Sequence, residues 1–266
     1  MAFTTCRSSA VPLRRDCAIV AVIPALDEEE CLGAVLDRMP CWVDCVVVAD
    51  NGSTDATARI AQERGAQVVH AAQRGYGAAC QAALIALRER MHDRDVVVFM
   101  DADGSDDPRE MSRLVDPLFC DADLVVGVRT DAIRMARHQR LGTAFVARLL
   151  GICFDVEVKD LGPYRAIRWG ELVALGMRDT RFGWTAEMQA RALRQGRRIR
   201  EVPVSWRPGG GRSEISGSLV GSLRAGRDLT LAVLGEAAGF WWDRAVRRRR
   251  ETEAPKSRAS ARSKRS

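Results

Sequence analysis

Two carboxylates one residue apart, Asp101 and Asp103, close an apolar run from Val96 to Met100 and lead through Gly104 into a polar turn ending at Pro108. A β-branched run of this length reads as a buried parallel strand. Its carboxyl end opens into the crevice where open α/β sheets take their ligands. Paired carboxylates at such an exit suit a hard divalent cation, Mg²⁺ or Mn²⁺, and the cation would in turn neutralise a diphosphate. Asp103 is the preferred direct ligand. An isolated Asp-x-Asp would serve as well to start the following helix, and Asp106 and Asp107 read that way.

Three further segments share this strand–turn–helix form. Ile19 to Ile23 is a short apolar run stopped by Pro24 and followed by Ala25, Leu26 and the acidic stretch Asp27 to Glu30. Val46 to Ala49 leads into Asp50-Asn51-Gly52-Ser53-Thr54-Asp55, a glycine turn rich in helix-capping residues. Gln73-Arg74-Gly75-Tyr76-Gly77 opens an alanine-rich helix. In this order, over residues 19 to 108, the four segments resemble the "PALNEE", "DDGSTD", "G-x-G-x-A" and "D-A-D" patterns of family 2 glycosyltransferases with the GT-A fold. Each pattern is weak alone; the ordered set is specific.

The resemblance implies an α/β, Rossmann-like GT-A fold: a mainly parallel sheet sandwiched by helices, with a C-terminal amphipathic helix. It implies an enzyme that transfers a hexose, with inversion, from a nucleotide-diphosphate sugar. Pro24, Ala25, Leu26 and Glu28, with Asp50, would hold the base and ribose, because carboxylates accept from base N–H and ribose hydroxyl groups. Of Glu28 and Glu29, one would simply complement a helix dipole. Gly75 and Gly77 would let the backbone approach the donor, and Arg74 would meet a phosphate or stay on the surface. Asp101 and Asp103 would bind the metal.

The second half, through "ADLVVGVR", "KDLGPYRAIR", "GWTAEMQARALRQGRRIREVPVSW" and "GRSEISG", is similar to the polyprenyl-phosphate and dolichol-phosphate sugar transferases and their soluble bacterial relatives. That subgroup implies a lipid-phosphate acceptor, a nucleophile already ionised near neutral pH because its second pKa is about 6. Such an acceptor needs cations more than a base, and Arg129, Arg134, Arg137 and Arg212 suit the role. A hydroxyl acceptor would need a base, with Asp160 or Glu187 as candidates. The chain departs from the family pattern at Asp27, where Asn is frequent, at Asn51, where a second Asp is common, and at Glu214, where Lys is frequent.

These groups need a scaffold, and the chain supplies one. Apolar and polar runs alternate from residue 17 to about 128, with strands expected near 18–23, 45–49, 67–70, 96–100 and 123–127 and helices between them. That alternation implies a parallel sheet covered on both faces. A strand at 199–206 is expected near an edge because of Pro203. The expected organisation is a flexible leader (1–16), one catalytic domain (17–215), an amphipathic helix (216–243) and a disordered basic tail (244–266).

The net charge of +6 is local: residues 244–266 carry ten Arg and Lys against two Glu, a balance of +8, so the rest is −2. The body is therefore no nucleic-acid binder. Only three lysines stand against 38 arginines (41 cations less three), a bias that discounts arginine clusters. Eight cysteines without a C-x-x-C pair and three histidines without ligand spacing point to reduced thiols and no zinc. No apolar run reaches the roughly 18 residues of a membrane span. The aromatics at 240–242 before Arg247 to Arg250 suggest a cytoplasmic protein resting on the anionic inner face of the membrane. A nucleotidyltransferase would carry a Gly-rich loop with Arg and Lys after the first strand, and a dinucleotide dehydrogenase a G-x-G-x-x-G there; neither is present. A non-catalytic nucleotide-sugar binding module is the remaining alternative, and the intact Asp-x-Asp weighs against it.

Overall fold

The computed structural model describes residues 16–130, 135–210 and 219–253. Seven strands form one sheet: β1 (Ile19–Ala25), β2 (Cys45–Asp50), β3 (Gln67–His70), β4 (Val96–Phe99), β5 (Leu124–Arg129), β6 (Arg165–Arg168) and β7 (Ile199–Val204). Their order is β3-β2-β1-β4-β6-β5-β7. All neighbours are parallel except β6, which runs antiparallel to both β4 and β5. The five strands expected from the alternation form as read, and β7, with its Pro203, is an edge strand.

Alternation inside β1 explains why an all-apolar run is required. Every residue of the strand is buried. Ile19, Ala21, Ile23 and Ala25 point to one core layer, while Val20 and Val22 point to the other. A strand covered on both faces tolerates no polar alternation. Helices α1 (Leu32–Asp37), α2 (Thr57–Glu63), α3 (Tyr76–Leu87), α4 (Met111–Val115) and α6 (Trp169–Leu175) accompany the sheet.

A third apolar cluster lies outside the sheet. It joins α5 (Arg137–Phe154), α7 (Trp184–Arg194) and α8 (Leu219–Glu253) through Val146, Leu150, Phe154, Ala186, Ala190, Val233 and Ala237. Helix α8 runs past Trp242 to Glu253, into the stretch expected as an unstructured tail. No helix among the described residues is long and apolar enough to cross a membrane.

The sheet order places the topological switch between β1 and β4, where successive connections leave in opposite directions. Register aligns Ala25 with Asp50 and Val22 with Phe99, so β1, β2 and β4 end together on one side.

Candidate active site

The loops after β1 and β2 are laced to one another. Asp27 takes a left-handed conformation, φ 53°, which Asp and Asn adopt more readily than other side-chain-bearing residues. From there its carboxylate accepts the Thr54 N–H at 2.7 Å, and its own N–H donates to Ser53 Oγ at 3.0 Å. The Asp27 carboxylate is thus spent on tying the two loops together. Glu29 accepts the Ala56 N–H at 3.0 Å and is consumed in the same lacing. Glu28 points the other way. Its N–H donates to Thr57 Oγ1, its carboxylate lines the cavity, and its Oε2 has no hydrogen-bond partner. Burial, then the charges of Asp103, Asp55 and Asp27, push the Glu28 carboxyl up to about 7. The lacing separates the two acids, leaving Glu28 and not Glu29 at the cavity.

A second distinction falls at the β2 turn. Asp50 is buried with both oxygens engaged, Oδ1 by the Ser53 N–H and Oδ2 by His70 Nδ1 at 3.0 Å. It does not line the cavity. Its neighbour Asn51 does, with Oδ1 accepting the Gly75 N–H at 3.1 Å. That contact orients the amide and leaves its NH₂ group for a ligand. At the β2 exit it is therefore Asn51, and not the His70-bound Asp50, that lines the cavity.

The glycine loop packs tightly on another stretch of the chain. A Cβ at Gly75 would overlap the Thr180 carbonyl, and one at Gly77 the Asp179 carbonyl. Gly75 also has φ 142°, a conformation that favours glycine. The first α3 N–H groups, of Gly77 and Ala78, donate to the carbonyls of Arg181 and Thr180. The close approach is to another stretch of the chain. Gly75 still lines the cavity, as does Arg74, which donates to the Gly52 carbonyl; Gly77 is buried behind them.

Asp101 and Asp103 both reach the cavity, opposite Glu28 and Asn51. Tyr76 Oη donates to Asp101 Oδ1 at 3.3 Å, and Ser105 N–H to Asp103 Oδ1 at 2.9 Å. Burial, then the charges of Asp103 and Asp106, hold the Asp101 carboxyl well above the usual range. Asp107 caps the next turn through Arg109 N–H, as expected. Asp106 does not: it is buried, accepts the Asp101 N–H, and keeps Oδ1 unpaired. Burial pushes it up to about 7 as well. Glu28, Asp101 and Asp103 line the one cavity, their charges repel, and Glu28 Oε2 is unpaired, a donor set that fits a cation. No three His, Cys, Asp or Glu side chains among the described residues converge as a complete metal cage. Mg²⁺-type sites are commonly of this kind, with one or two carboxylates and the remaining ligands from phosphates and water.

Arg129 and Asp160 are each other's partners. Asp160 accepts Arg129 N–H (3.0 Å), Nε (2.8 Å) and Nη2 (2.5 Å), and the Leu161 N–H at 2.7 Å. Glu187 caps the Arg178 and Asp179 N–H groups and pairs with Arg191 at 2.8 Å. Neither acid lines the cavity. A carboxylate whose lone pairs are already spent on fixed donors is a poor base. Both candidates for a hydroxyl acceptor are held by fixed donors away from the cavity.

Periodicity had no means to single out Arg165. It is fully buried on β6, and its guanidinium donates to the carbonyls of Leu161, Gly162 and Thr185, fixing two walls of the cavity together. Burial lowers its pKa to about 10. Tyr76, Phe182, Thr185 and, from α8, Ala225 and Leu229 complete the lining of a cavity of about 300 Å³. Pro24, Ala25 and Leu26 line it as the β1 exit. Above it, Gly210 N–H donates to the Asp103 carbonyl, and Arg207 Nε to that of Gly104. Arg134 and Arg212 lie outside the described residues.

Residues 20–176 match the model of the glycosyl transferase family 2. An uncharacterized glycosyltransferase of Mycobacterium tuberculosis is 39% identical over 211 residues, 78% of this chain and 94% of the relative. The undecaprenyl-phosphate mannosyltransferase of Micrococcus luteus is 30% identical over 76% of this chain and 89% of its own length. Among solved structures, glucosyl-3-phosphoglycerate synthase from Mycobacterium tuberculosis, in complex with Mn²⁺, UDP-glucose and phosphoglyceric acid, superposes with a TM-score of 0.69. It shares 24% identity over 84% of this chain and 80% of that one.

Proposed function

The chain belongs to glycosyl transferase family 2, and from that premise we propose that it transfers a hexose from a nucleotide-diphosphate sugar to a polyprenyl phosphate at the cytoplasmic membrane face. The observation that carries the donor half is the convergence of the β1, β2 and β4 ends, which brings Glu28, Asn51, Asp101 and Asp103 around one cavity. The acceptor half is supported by the two acids that would have served a hydroxyl, Asp160 and Glu187, being bound to fixed N–H donors.

In this reading Glu28 and the Asn51 amide hold the nucleoside, and Arg74 lies along the phosphates. Asp101 and Asp103 would hold Mg²⁺ or Mn²⁺, which supplies positive charge to the departing diphosphate. Tyr76 and Ser105 fix the two carboxylates from behind. An acceptor phosphate oxygen attacks the anomeric carbon from the face opposite the leaving diphosphate, inverting it, and no proton has to be removed. Arg212 is the cation for that phosphate. Arg129 contributes its field while its guanidinium stays with Asp160.

A mass-spectrometric screen of nucleotide sugars against undecaprenyl phosphate and 3-phosphoglyceric acid, with Mg²⁺ or Mn²⁺, tests the reading. Glycosylated lipid phosphate is the expected product. Transfer to the soluble acceptor alone would overturn the lipid half, and donor binding without turnover would favour a binding module.

A further inference from the structure

Seven of the eleven exposed large apolar side chains among the described residues lie on α5 and α8, two neighbouring helices of one layer, so the exposure is concentrated rather than scattered. On α5, Leu141 (69% exposed), Phe145 (60%) and Ile152 (69%) recur at the spacing of a single helical stripe, while Val146, Leu150 and Phe154 face the cluster beneath. The outer stripe of α8 holds Leu231, Leu234, Trp241 and Trp242, while Val233 and Ala237 turn inward.

Charge on these helices is sorted by direction. From Arg137 to Phe154 there is no acid, and the exposed Arg137, Arg140 and Arg148 flank the apolar stripe. Helix α8 has acids, and the three whose side chains are described, Asp228, Glu236 and Asp243, are spent. Glu236 pairs with Arg191 and Arg194, Asp243 with Arg194, and Asp228 with Arg227. Near the aromatic end, Arg244 sits over the Trp241 ring at 5.6 Å. What faces outward is apolar surface rimmed by cations.

We propose that the outward face of α5, continued by α8, lies flat on an anionic bilayer and so sets the cavity at the level of the lipid headgroups. A helix with apolar residues along one stripe and arginines beside it is matched to the headgroup–acyl boundary, and aromatics prefer that depth. A second copy of the chain fits poorly, since two such faces would meet cation to cation. Nucleic acid would leave the apolar stripe without a partner. Helix α8 shares its other side with the cavity through Ala225 and Leu229, so the surface and the site are contiguous. The inference rests on the lipid-phosphate reading above for its purpose, and on the surface alone for its evidence.

Flotation of the full chain with vesicles of neutral phosphatidylcholine, or of the same lipid with phosphatidylglycerol, both free of polyprenyl phosphate, tests it. The wild type floats with the anionic vesicles. The triple variant Leu141→Gln, Phe145→Gln, Ile152→Gln, whose sites are all exposed, keeps its thermal transition and loses partitioning by on the order of 100-fold. Flotation of the variant equal to wild type, absence of wild-type flotation, or an apolar face shown by light scattering to be consumed in a dimer would each overturn the proposal. Vesicle binding without transfer to any polyprenyl phosphate would instead remove the acceptor reading and leave the docking surface standing.

Discussion

Replacing Asp160 with Asn separates a structural acid from a catalytic one. The wild-type carboxylate is buried, accepts four N–H groups and neutralises the nearly buried Arg129 guanidinium. Asparagine keeps the shape but offers one acceptor oxygen. It turns its NH₂ toward N–H groups that need acceptors and leaves a cation without its counter-charge. Breaking one side of a buried pair costs about 3–5 kcal/mol. The retained oxygen puts Asp160→Asn near the lower end, about 3 kcal/mol. For a protein of this size each kcal/mol moves the transition by roughly 2–4 °C, so Tm should fall by about 6–12 °C. Differential scanning calorimetry at fixed pH and metal reads that shift. Turnover, measured well below the transition with the donor and acceptor found in the screen, should fall less than about tenfold and keep its pH profile, since no proton passes through Asp160. A variant that melts like wild type, yet loses at least about 100-fold in kcat together with the acidic limb of its profile, would refute the reasoning and restore Asp160 as a base.

Three other outcomes are expected. Asp103→Ala removes a carboxylate lining the cavity and should lower turnover by at least about 100-fold, with weaker Mn²⁺ binding by calorimetry; near-wild-type turnover in the presence of chelator would remove the metal role. Gly77→Ala drives a methyl group into the Asp179 carbonyl and strains two backbone hydrogen bonds at the start of α3. It should cost about 1–3 kcal/mol, and an unshifted Tm would show that the two segments part easily. Glu28 and Asp106 are both raised to about 7 in the folded protein, so the folded state holds more protons than the unfolded chain between their ordinary values and 7. Cation-free protein should therefore lose stability as pH rises from about 5 to 8, and Mn²⁺ should raise Tm more at pH 8 than at pH 5; a Tm that climbs with pH without metal would contradict this.

How far the sequence reaches depends on the range of the interactions involved. Strand positions, the edge placement of the Pro203 strand and the delivery of Asp101 and Asp103 to a sheet end are local matters. They follow from side-chain volume, β-branching and the missing proline N–H, all of which act within a few residues. The antiparallel insertion of β6 between β4 and β5 is not legible in Arg165–Arg168, because four residues pair in either direction and only the return of the chain from α5 decides. The same division runs through the site. Glu28 and Glu29 are equivalent in composition, and what separates them is a hydrogen bond from Ala56, 27 residues away. Asp50 yields the cavity to Asn51 because His70, 20 residues on, holds it. Asp160 is taken up by Arg129 across 31 residues, and Arg165 clasps the Thr185 carbonyl across 20. Residue types determined that this chain carries carboxylates, glycines and arginines at strand ends. Only tertiary packing decided which of them keep a lone pair or an N–H for a ligand, since a buried polar group must be satisfied by whatever partner the fold brings to it.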